Sequence, residues 1–374
     1  MSTDGVSKQP SPASGPAQGL PIRNHTTSSP ENGSGAFDIV RTYRELLDSD
    51  RDITMPVAAI ESLIELLRAT PSSTAMETVE IVKKEKAKLL AAAPNPLPLL
   101  AGADLFEQFL LRSLRGQPAT ASSSSSSSGV LSFEETRQHL LNNRQLFAQR
   151  AKAARDNIAI WGSRYVSDGR IVLTAGGSRT VTKILLRAAA DQSKHFKVIY
   201  VVDDGADARS RVAVAQLREV GGLEVETISP HKVAYVLGNQ KAINLVLVGT
   251  EVVMQNGGII SGMGTAQLAH LTKTVKGGIK RFYVAAETHK ICRKTPIAYP
   301  MVNRVGVNQK DISKFENIGV DVAALLGHDP AALANMLAEK DEVDYTDPEL
   351  IDGIITEQGV KMTSQIWEMV DDYI

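Results

Sequence analysis

The chain has 374 residues, of which 43% are hydrophobic and 22% charged, and its formal net charge is −1. This composition is that of an ordinary globular protein, and the length suggests two domains. The near-neutral charge argues against nucleic acid as the main partner. One cysteine excludes an internal disulfide, and the seven histidines show no metal-ligand spacing, so no metal site is predicted. No apolar run approaches the ~20 residues of a membrane span, so we expect a cytosolic protein without membrane contact.

The first part of the chain divides into a tail and a helical domain. Residues 1–35 are predicted to be a disordered tail, because they carry almost no bulky apolar side chains. Residues 36–168 are predicted to form a helical domain, interrupted by a serine-rich loop at 116–130. Apolar residues at helical spacing support this prediction at Ile60, Leu63, Ile64 and Leu67.

After Gly169 the apolar period changes, and short apolar segments alternate with helical patterns. Such alternation indicates a parallel sheet that helices cover on both faces. We therefore predict an α/β protein in which the helical domain precedes a Rossmann-like α/β domain at 169–374. The predicted strands are Ile171–Leu173, Val198–Val202, Val225–Ile228, Leu245–Val248 and Phe282–Ala285.

The strongest candidate site is the turn after the first predicted strand. Ligands of parallel sheets bind at the carboxyl ends of the strands, and a helix N-terminus there presents N–H groups to an anion. Gly176 and Gly177 let a ligand approach the backbone, while Thr174, Ser178 and Arg179 can donate to phosphate oxygens. The turn is thus predicted to be the rim of a phosphate-sized site.

Other strand ends supply further candidates. Asp203 and Glu251 can accept from sugar hydroxyls, and Gly264 with Thr265 opens a second helix that can hold an anionic or hydroxylated group. The remaining candidates are Asn256, Gly257, Ser261 and Lys290. Together they predict a pocket for a small phosphorylated sugar or nucleotide. The alternative stays open that these residues only serve strand-to-helix turns, since neither GxGxxG nor GxxxxGK[ST] occurs.

Catalytic groups are harder to identify. A sugar-phosphate isomerase needs an acid/base pair, or a positioned thiol and carboxylate. Cys292 lies well beyond the fifth predicted strand, and no histidine is obviously placed to work with Glu251. No catalytic residue and no cofactor are predicted, apart from a bound sugar phosphate or nucleoside monophosphate.

Three segments resemble a known family. They read VLVGTEVVMQNGGIISGMGTAQLAHL at 246–271, RFYVAAETHK at 281–290 and VDYTDPELIDGIITEQG at 343–359. They are similar to the alpha, beta and delta regulatory subunits of eukaryotic translation initiation factor 2B. They are also similar to the related methylthioribose-1-phosphate and ribose-1,5-bisphosphate isomerases. The resemblance covers roughly 37–374, and the alpha branch is the most similar.

The resemblance implies a non-catalytic, regulatory subunit of the guanine-nucleotide exchange complex for initiation factor 2. The isomerases carry a cysteine in the first turn and an aspartate after strand four, where this chain has Gly176 and Glu251. Their Asn-Lys pair is replaced by Ser261 and Gly262. The resemblance therefore implies that the chain keeps the ligand pocket and has lost the isomerase activity. The alternative is an active sugar-phosphate aldose–ketose isomerase.

The same resemblance implies the partners. The chain is expected to form a homodimer through its α/β domain, to join the other subunits of the exchange complex, and to sense the phosphorylated alpha subunit of initiation factor 2. The candidate partner-binding residues are Thr54, Val57, Ala58 and Glu61. Thr54, Glu61 and Glu65 lie off the apolar stripe and are expected to face solvent, which an ordinary polar helix face would equally explain.

Overall fold

The structure of the protein is a computed structural model. It describes residues 37–50, 52–93, 95–114, 144–203, 208–293 and 343–371. The predicted disordered tail and the predicted serine-rich loop lie outside the described residues, and the predicted domain boundaries stay a prediction. Within these ranges, every helix is too short or too polar to traverse a lipid bilayer.

Helices make up the first part of the chain. They are α1 Ile39–Ser49, α2 Met55–Ala69, α3 Ala75–Ala91, α4 Leu97–Leu114 and α5 Arg144–Gly162. The predicted apolar stripe of α2 is fully buried, at Ile60, Leu63, Ile64 and Leu67. Helix α4 crosses α2 so closely at Gly102 that a Cβ there would collide with the carbonyl of Pro56. The start of α2 is therefore packed tightly against α4.

The second part of the chain is built from strands joined by helices. The strands are β1 Ile171–Ala175, β2 Lys197–Val201, β3 Glu224–Ile228, β4 Ile243–Gly249, β5 Val252–Met254, β6 Ile259–Gly262, β7 Arg281–Ala285, β8 Ile291–Cys292, β9 Val343–Thr346, β10 Gly353–Thr356 and β11 Gly359–Lys361. The helices are α6 Arg179–Ala189, α7 Ala208–Arg218, α8 Val233–Asn239, α9 Thr265–Thr274 and α10 Ile366–Asp371. The α/β prediction is confirmed.

Among the described residues, the main sheet has seven strands in the order β11-β10-β7-β4-β1-β2-β3. All neighbouring strands are parallel except β10 and β11, which are antiparallel. Alternate residues of each strand enter two separate cores, as Val172 and Leu173 of β1 illustrate. Helices α5, α6 and α7 cover one face, while α8, α9 and α10 cover the other. The strands carry apolar side chains on both faces because both faces are covered.

The described part of the chain also forms a second sheet of four strands, in the order β8-β5-β6-β9. Its strands have two to four residues each, and its inner face packs against Leu97 and Leu100 at the start of α4. The predicted strands did not include it. This small sheet joins the helical part to the carboxyl edge of the main sheet, which is where several of the predicted site residues lie.

Candidate functional site at the carboxyl edge of the main sheet

The turn between β1 and α6 has two glycines with different roles. Gly176 and Gly177 have φ angles of 81° and 61°, in the left-handed region that favours glycine. A Cβ on Gly177 would lie 2.5 Å from Cβ of Arg209, so packing against α7 requires this glycine. A Cβ on Gly176 would meet no atom within 4 Å. Gly176 is thus the open point of the turn.

Two neutral side chains and one carboxylate anchor this turn. The N–H of Gly177 donates to the hydroxyl of Tyr200 at 3.0 Å, and Ser178 caps α6 by accepting from the N–H of Val181 at 3.4 Å. The hydroxyl of Thr180 donates to Oε1 of Glu287 at 2.8 Å. The side chain of Thr174 is buried, and its hydroxyl has no hydrogen-bond partner among the described residues. The turn and the start of α6 are therefore tied to β2 through Tyr200 and to the residues after β7 through Glu287.

A buried ion pair lies next to this turn, at the end of β7. Oε2 of Glu287 lies 2.8 Å from Nζ of Lys290, and Glu287 is 1% exposed. Lys290 also donates to the carbonyl of Thr250 at 3.0 Å. Burial by itself would raise the pKa of Glu287, but the Lys290 ammonium, together with the His289 ring when it is protonated, holds that pKa well below its usual range. Glu287 is ionised and fixes the position of Lys290.

His289 links this edge to the start of α2. Its Nε2 lies 3.1 Å from the hydroxyl of Thr54. Burial lowers the pKa of His289 to about 4, so the ring is neutral at pH 7. A cavity beside His289 is lined by Ala101, Leu105 and Ile291, and none of the predicted ligand-binding residues lines it.

Two arginines approach the same corner from α5 and α6. Arg155 is 5% exposed and donates from Nη2 to the carbonyl of Asp52 at 2.6 Å, while its Nη1 lies 3.3 Å from Oδ1 of Asp52. Nε of Arg155 is buried and has no hydrogen-bond partner among the described residues. Arg179 donates to the carbonyl of Ile53 at 3.3 Å, and its Nη1 lies 4.0 Å from the same Oδ1. Burial lowers the pKa of Arg179, and the charge of Arg155 lowers it further.

The helix N-terminus at α9 is already occupied by a protein carboxylate. Oδ2 of Asp344, on β9, accepts from the N–H of Gly264 at 2.7 Å and from that of Ala266 at 3.0 Å. Burial raises the pKa of Asp344 to about 6, against the effect of these hydrogen bonds. The hydroxyl of Thr265 donates back to the carbonyl of Gly262 at 2.7 Å. An external anion would have to compete with Asp344 here.

The model of the initiation factor 2 subunit family matches residues 49–363. The chain belongs to this family. Translation initiation factor eIF2B subunit alpha of Dictyostelium discoideum is 25% identical over 336 residues, which cover 88% of this chain and 95% of the relative. Ribose 1,5-bisphosphate isomerase of Archaeoglobus fulgidus is 30% identical over 164 residues, or 44% of this chain and 50% of the enzyme.

Solved structures agree with the fold of this family member. A chain of the tetrameric eIF2B-beta2-delta2 complex from C. thermophilum superposes with a TM-score of 0.64, at 18% identity, over 90% of this chain and 94% of that one. Two eIF2B alpha subunits each match 88% of this chain, whereas two ribose 1,5-bisphosphate isomerases match 44% and 65% of it. This member of the family therefore resembles eIF2B alpha subunits over most of its length.

Several predicted ligand residues come together at the carboxyl edge of the main sheet. Glu251 follows β4 and accepts from the side-chain amide of Asn95 at 2.9 Å, and Ser261 donates to the carbonyl of Gly249 at 3.2 Å. Asp203 follows β2 and is exposed. The residues at the ends of β1, β4 and β7 are adjacent because these strands are neighbours in the sheet.

Asn256 and Gly257 lie elsewhere, in the hairpin between β5 and β6. The side-chain amide of Asn256 donates to the hydroxyl of Tyr345 at 2.8 Å, and its oxygen accepts from the N–H of Gly258 at 2.9 Å. Gly257 has a φ of 83° and packs against Thr363. Both residues shape the hairpin, and their role toward a ligand stays a prediction.

The expectation that the polar residues of α2 face solvent is wrong for Thr54 and Glu61. They are 7% and 4% exposed, and Val57 and Ala58 beside them are buried as well. The cause is that α2 packs against α1, α3, α4 and α5, and its start meets His289. A helical wheel shows only one apolar stripe and cannot reveal that the opposite face is also covered. The partner-binding role of these residues stays a prediction.

Sequence reasoning missed four side chains that organise this edge: Arg155, Glu287, His289 and Asp344. Glu287 and His289 stand directly after a predicted strand, so their position was a usable signal. Arg155 lies on a helix far from the sheet in sequence, and Asp344 reaches α9 from β9, so the sequence held no local signal for either. Cys292 is fully buried in β8, within the core of the second sheet.

Proposed function

We propose that the chain is a regulatory, non-catalytic subunit of the guanine-nucleotide exchange factor complex for translation initiation factor 2. In this function it forms a homodimer, assembles with the other subunits in the cytosol, and takes part in inhibition by the phosphorylated alpha subunit of initiation factor 2. It keeps a pocket for a sugar phosphate or a nucleoside monophosphate. Family membership and the eIF2B alpha relatives support the assembly role.

The observation that carries the pocket is the pair of guanidiniums beside the open glycine turn. Arg155 is buried with an Nε that lacks a hydrogen-bond partner in the described part of the chain, and Arg179 begins the helix that follows Gly176 and Gly177. A phosphate group matches both features, because it accepts charge-assisted bonds from arginine and is favoured at a helix N-terminus. Because Gly176 has no side chain and its surroundings are open, a phosphate group has room beside its Cα.

Loss of the isomerase chemistry agrees with a binding role. The turn that carries a cysteine in the related isomerases has Gly176 here, and Glu251 at the end of β4 is engaged by Asn95. The ring of His289 is neutral, and its described hydrogen bond is to Thr54 and not to Glu251. A ligand in such a site acts by stabilising the folded and assembled state, because it binds that state preferentially.

Calorimetric titration of the full-length protein tests the pocket. We expect ribose 5-phosphate and guanosine monophosphate to bind, and ribose and guanosine to fail, because the phosphate supplies the charge. R179A should weaken the binding by about tenfold, the effect of losing one charge-assisted hydrogen bond. R187A is the matched control, since Arg187 is exposed near the other end of the same helix.

Two outcomes would overturn the pocket. One is the absence of binding by any phosphorylated compound, and the other is binding that R179A leaves unchanged. Incubation with ribose 1,5-bisphosphate should give no isomerised product. Light scattering of the purified chain, with and without ribose 5-phosphate, tests the homodimer, and co-purification with the other subunits tests assembly.

The sensing of the phosphorylated partner is proposed for the helical part as a whole. Because Thr54 and Glu61 are buried, a partner can reach them only if the start of α2 is uncovered. We therefore expect E61A to act through the stability of the helical part, and exposed charges such as Arg68 to act through contact. The experiment compares the binding of the phosphorylated factor to the R68A complex and to the wild-type complex at equal thermal stability. Weaker binding by R68A under these conditions indicates a lost contact and not a loss of stability.

A further inference from the structure

Asp52 occupies the space between the two arginines of the proposed pocket. Its Oδ1 lies 3.3 Å from Nη1 of Arg155 and 4.0 Å from Nη1 of Arg179. Its backbone carbonyl accepts a separate bond from Nη2 of Arg155 at 2.6 Å. The carboxylate and the carbonyl of one residue thus make two independent contacts, of which only the first uses a negative charge.

The carboxylate contact is the weaker and more accessible of the two. The side chain of Asp52 is 56% exposed, whereas that of Arg155 is 7% exposed. An ion pair that is open to water on one side contributes little to stability, because water and salt screen it. A phosphate group carries more charge and three acceptor oxygens, so it is the better partner for two guanidiniums.

We propose that Asp52 is an internal counter-ion that regulates the proposed pocket: its carboxylate neutralises Arg155 and Arg179 when the pocket is empty, and a phosphorylated ligand displaces it. This proposal rests on the proposed pocket. Displacement of the Asp52 side chain moves the residues directly before α2. Ligand binding in the pocket therefore changes the position of the start of α2. The carbonyl contact with Arg155 remains and keeps the segment attached.

The test measures the affinity of wild-type and D52N protein for inorganic phosphate and for ribose 5-phosphate by calorimetry. Because D52N removes the competing charge and keeps the carbonyl contact, we expect both probes to bind about tenfold more tightly, as when a close charge of the ligand's own sign is removed. D48N is the matched control: it makes the same change of net charge at an exposed residue of α1 and should leave both affinities unchanged. D52S, a second neutral variant, should behave as D52N does.

The outcomes separate this inference from the proposed pocket. If the wild type binds, R179A weakens the binding, and D52N and D52S bind no more tightly than the wild type, the counter-ion role is wrong and the pocket stands. If neither the wild type nor D52N nor D52S binds either probe, both proposals are overturned. Binding by the wild type that becomes tighter in both D52N and D52S supports the counter-ion role, since it shows that the carboxylate competes with the probe. An equal gain with D48N would attribute the effect to net charge and overturn the inference.

Discussion

Two helix N-termini at the same edge of the sheet were predicted to hold an anion, and the structure treats them differently. At α9 the carboxylate of Asp344 accepts from the N–H groups of Gly264 and Ala266. At α6 the described N–H groups of the turn donate to neutral oxygens of Tyr200 and Ser178, and the carboxylate of Glu287 accepts only from a side-chain hydroxyl, that of Thr180. A glycine turn before a helix therefore does not by itself specify a ligand site. Whether such a turn is open to an external anion depends on whether the tertiary fold places a protein carboxylate against its backbone N–H groups.

The largest expected effect concerns the buried pair that holds the α6 turn. E287Q removes the charge that Lys290 faces and weakens the bond from Thr180, so unfolding should become easier by about 4 kcal/mol. Chemical denaturation measures this. The stabilisation should also fade in the wild type as pH falls below the unfolded-state value of about 4.5, because the native pKa of Glu287 is held low.

E224Q is the control for that prediction. Glu224 forms an ion pair with Lys197 at the opposite end of the strands, and both side chains are more than half exposed. Its removal should change the free energy of unfolding far less than E287Q does, because water screens the pair. Equal effects of the two variants would contradict the assignment of Glu287 as the anchor of the turn.

The second prediction concerns the filled N-terminus at α9. The native pKa of Asp344 is about 6, above the unfolded value of about 3.9. The native state therefore holds an extra proton between these values, and its stability falls as pH rises through this window. D344N cannot lose this proton. Between pH 4 and pH 7 its stability relative to the wild type should rise by about 2 kcal/mol.

Denaturation curves of both proteins at several pH values measure this difference, in which the other titrating groups cancel. Curves that stay parallel from pH 4 to pH 7 would show that Asp344 is not held in a raised-pKa state.

The smallest expected effect concerns the open glycine. G176A places a Cβ at a φ of 81° without any clash, so the cost should be about 1 kcal/mol from backbone strain alone. G222A is closely matched, because Gly222 has a φ of 87° and equally open surroundings in a remote turn. Only G176A should also weaken the binding of ribose 5-phosphate, because its methyl group enters the proposed pocket. Equal affinities of the two variants would remove Gly176 from the pocket.

The sequence determined much of the main sheet. The strands predicted at Ile171–Leu173 and Phe282–Ala285 differ from β1 and β7 by one or two residues, because buried parallel strands are continuous apolar runs bounded by glycine or charged residues. The second sheet could not be predicted in the same way. Its strands are too short to show a period, and β6 pairs with β9, which is distant in sequence.

The same distinction between local sequence and tertiary packing applies to the candidate site. By itself the sequence determined the glycine turns, the helix that starts at Arg179 and the family, since local dihedral and hydrogen-bond requirements are written in neighbouring residues. Only the tertiary structure decided that Asp344 fills one helix N-terminus, that Asp52 lies between two arginines at the other, and that Thr54 is buried. These contacts join residues far apart in the chain, so their geometry depends on the packing of whole elements.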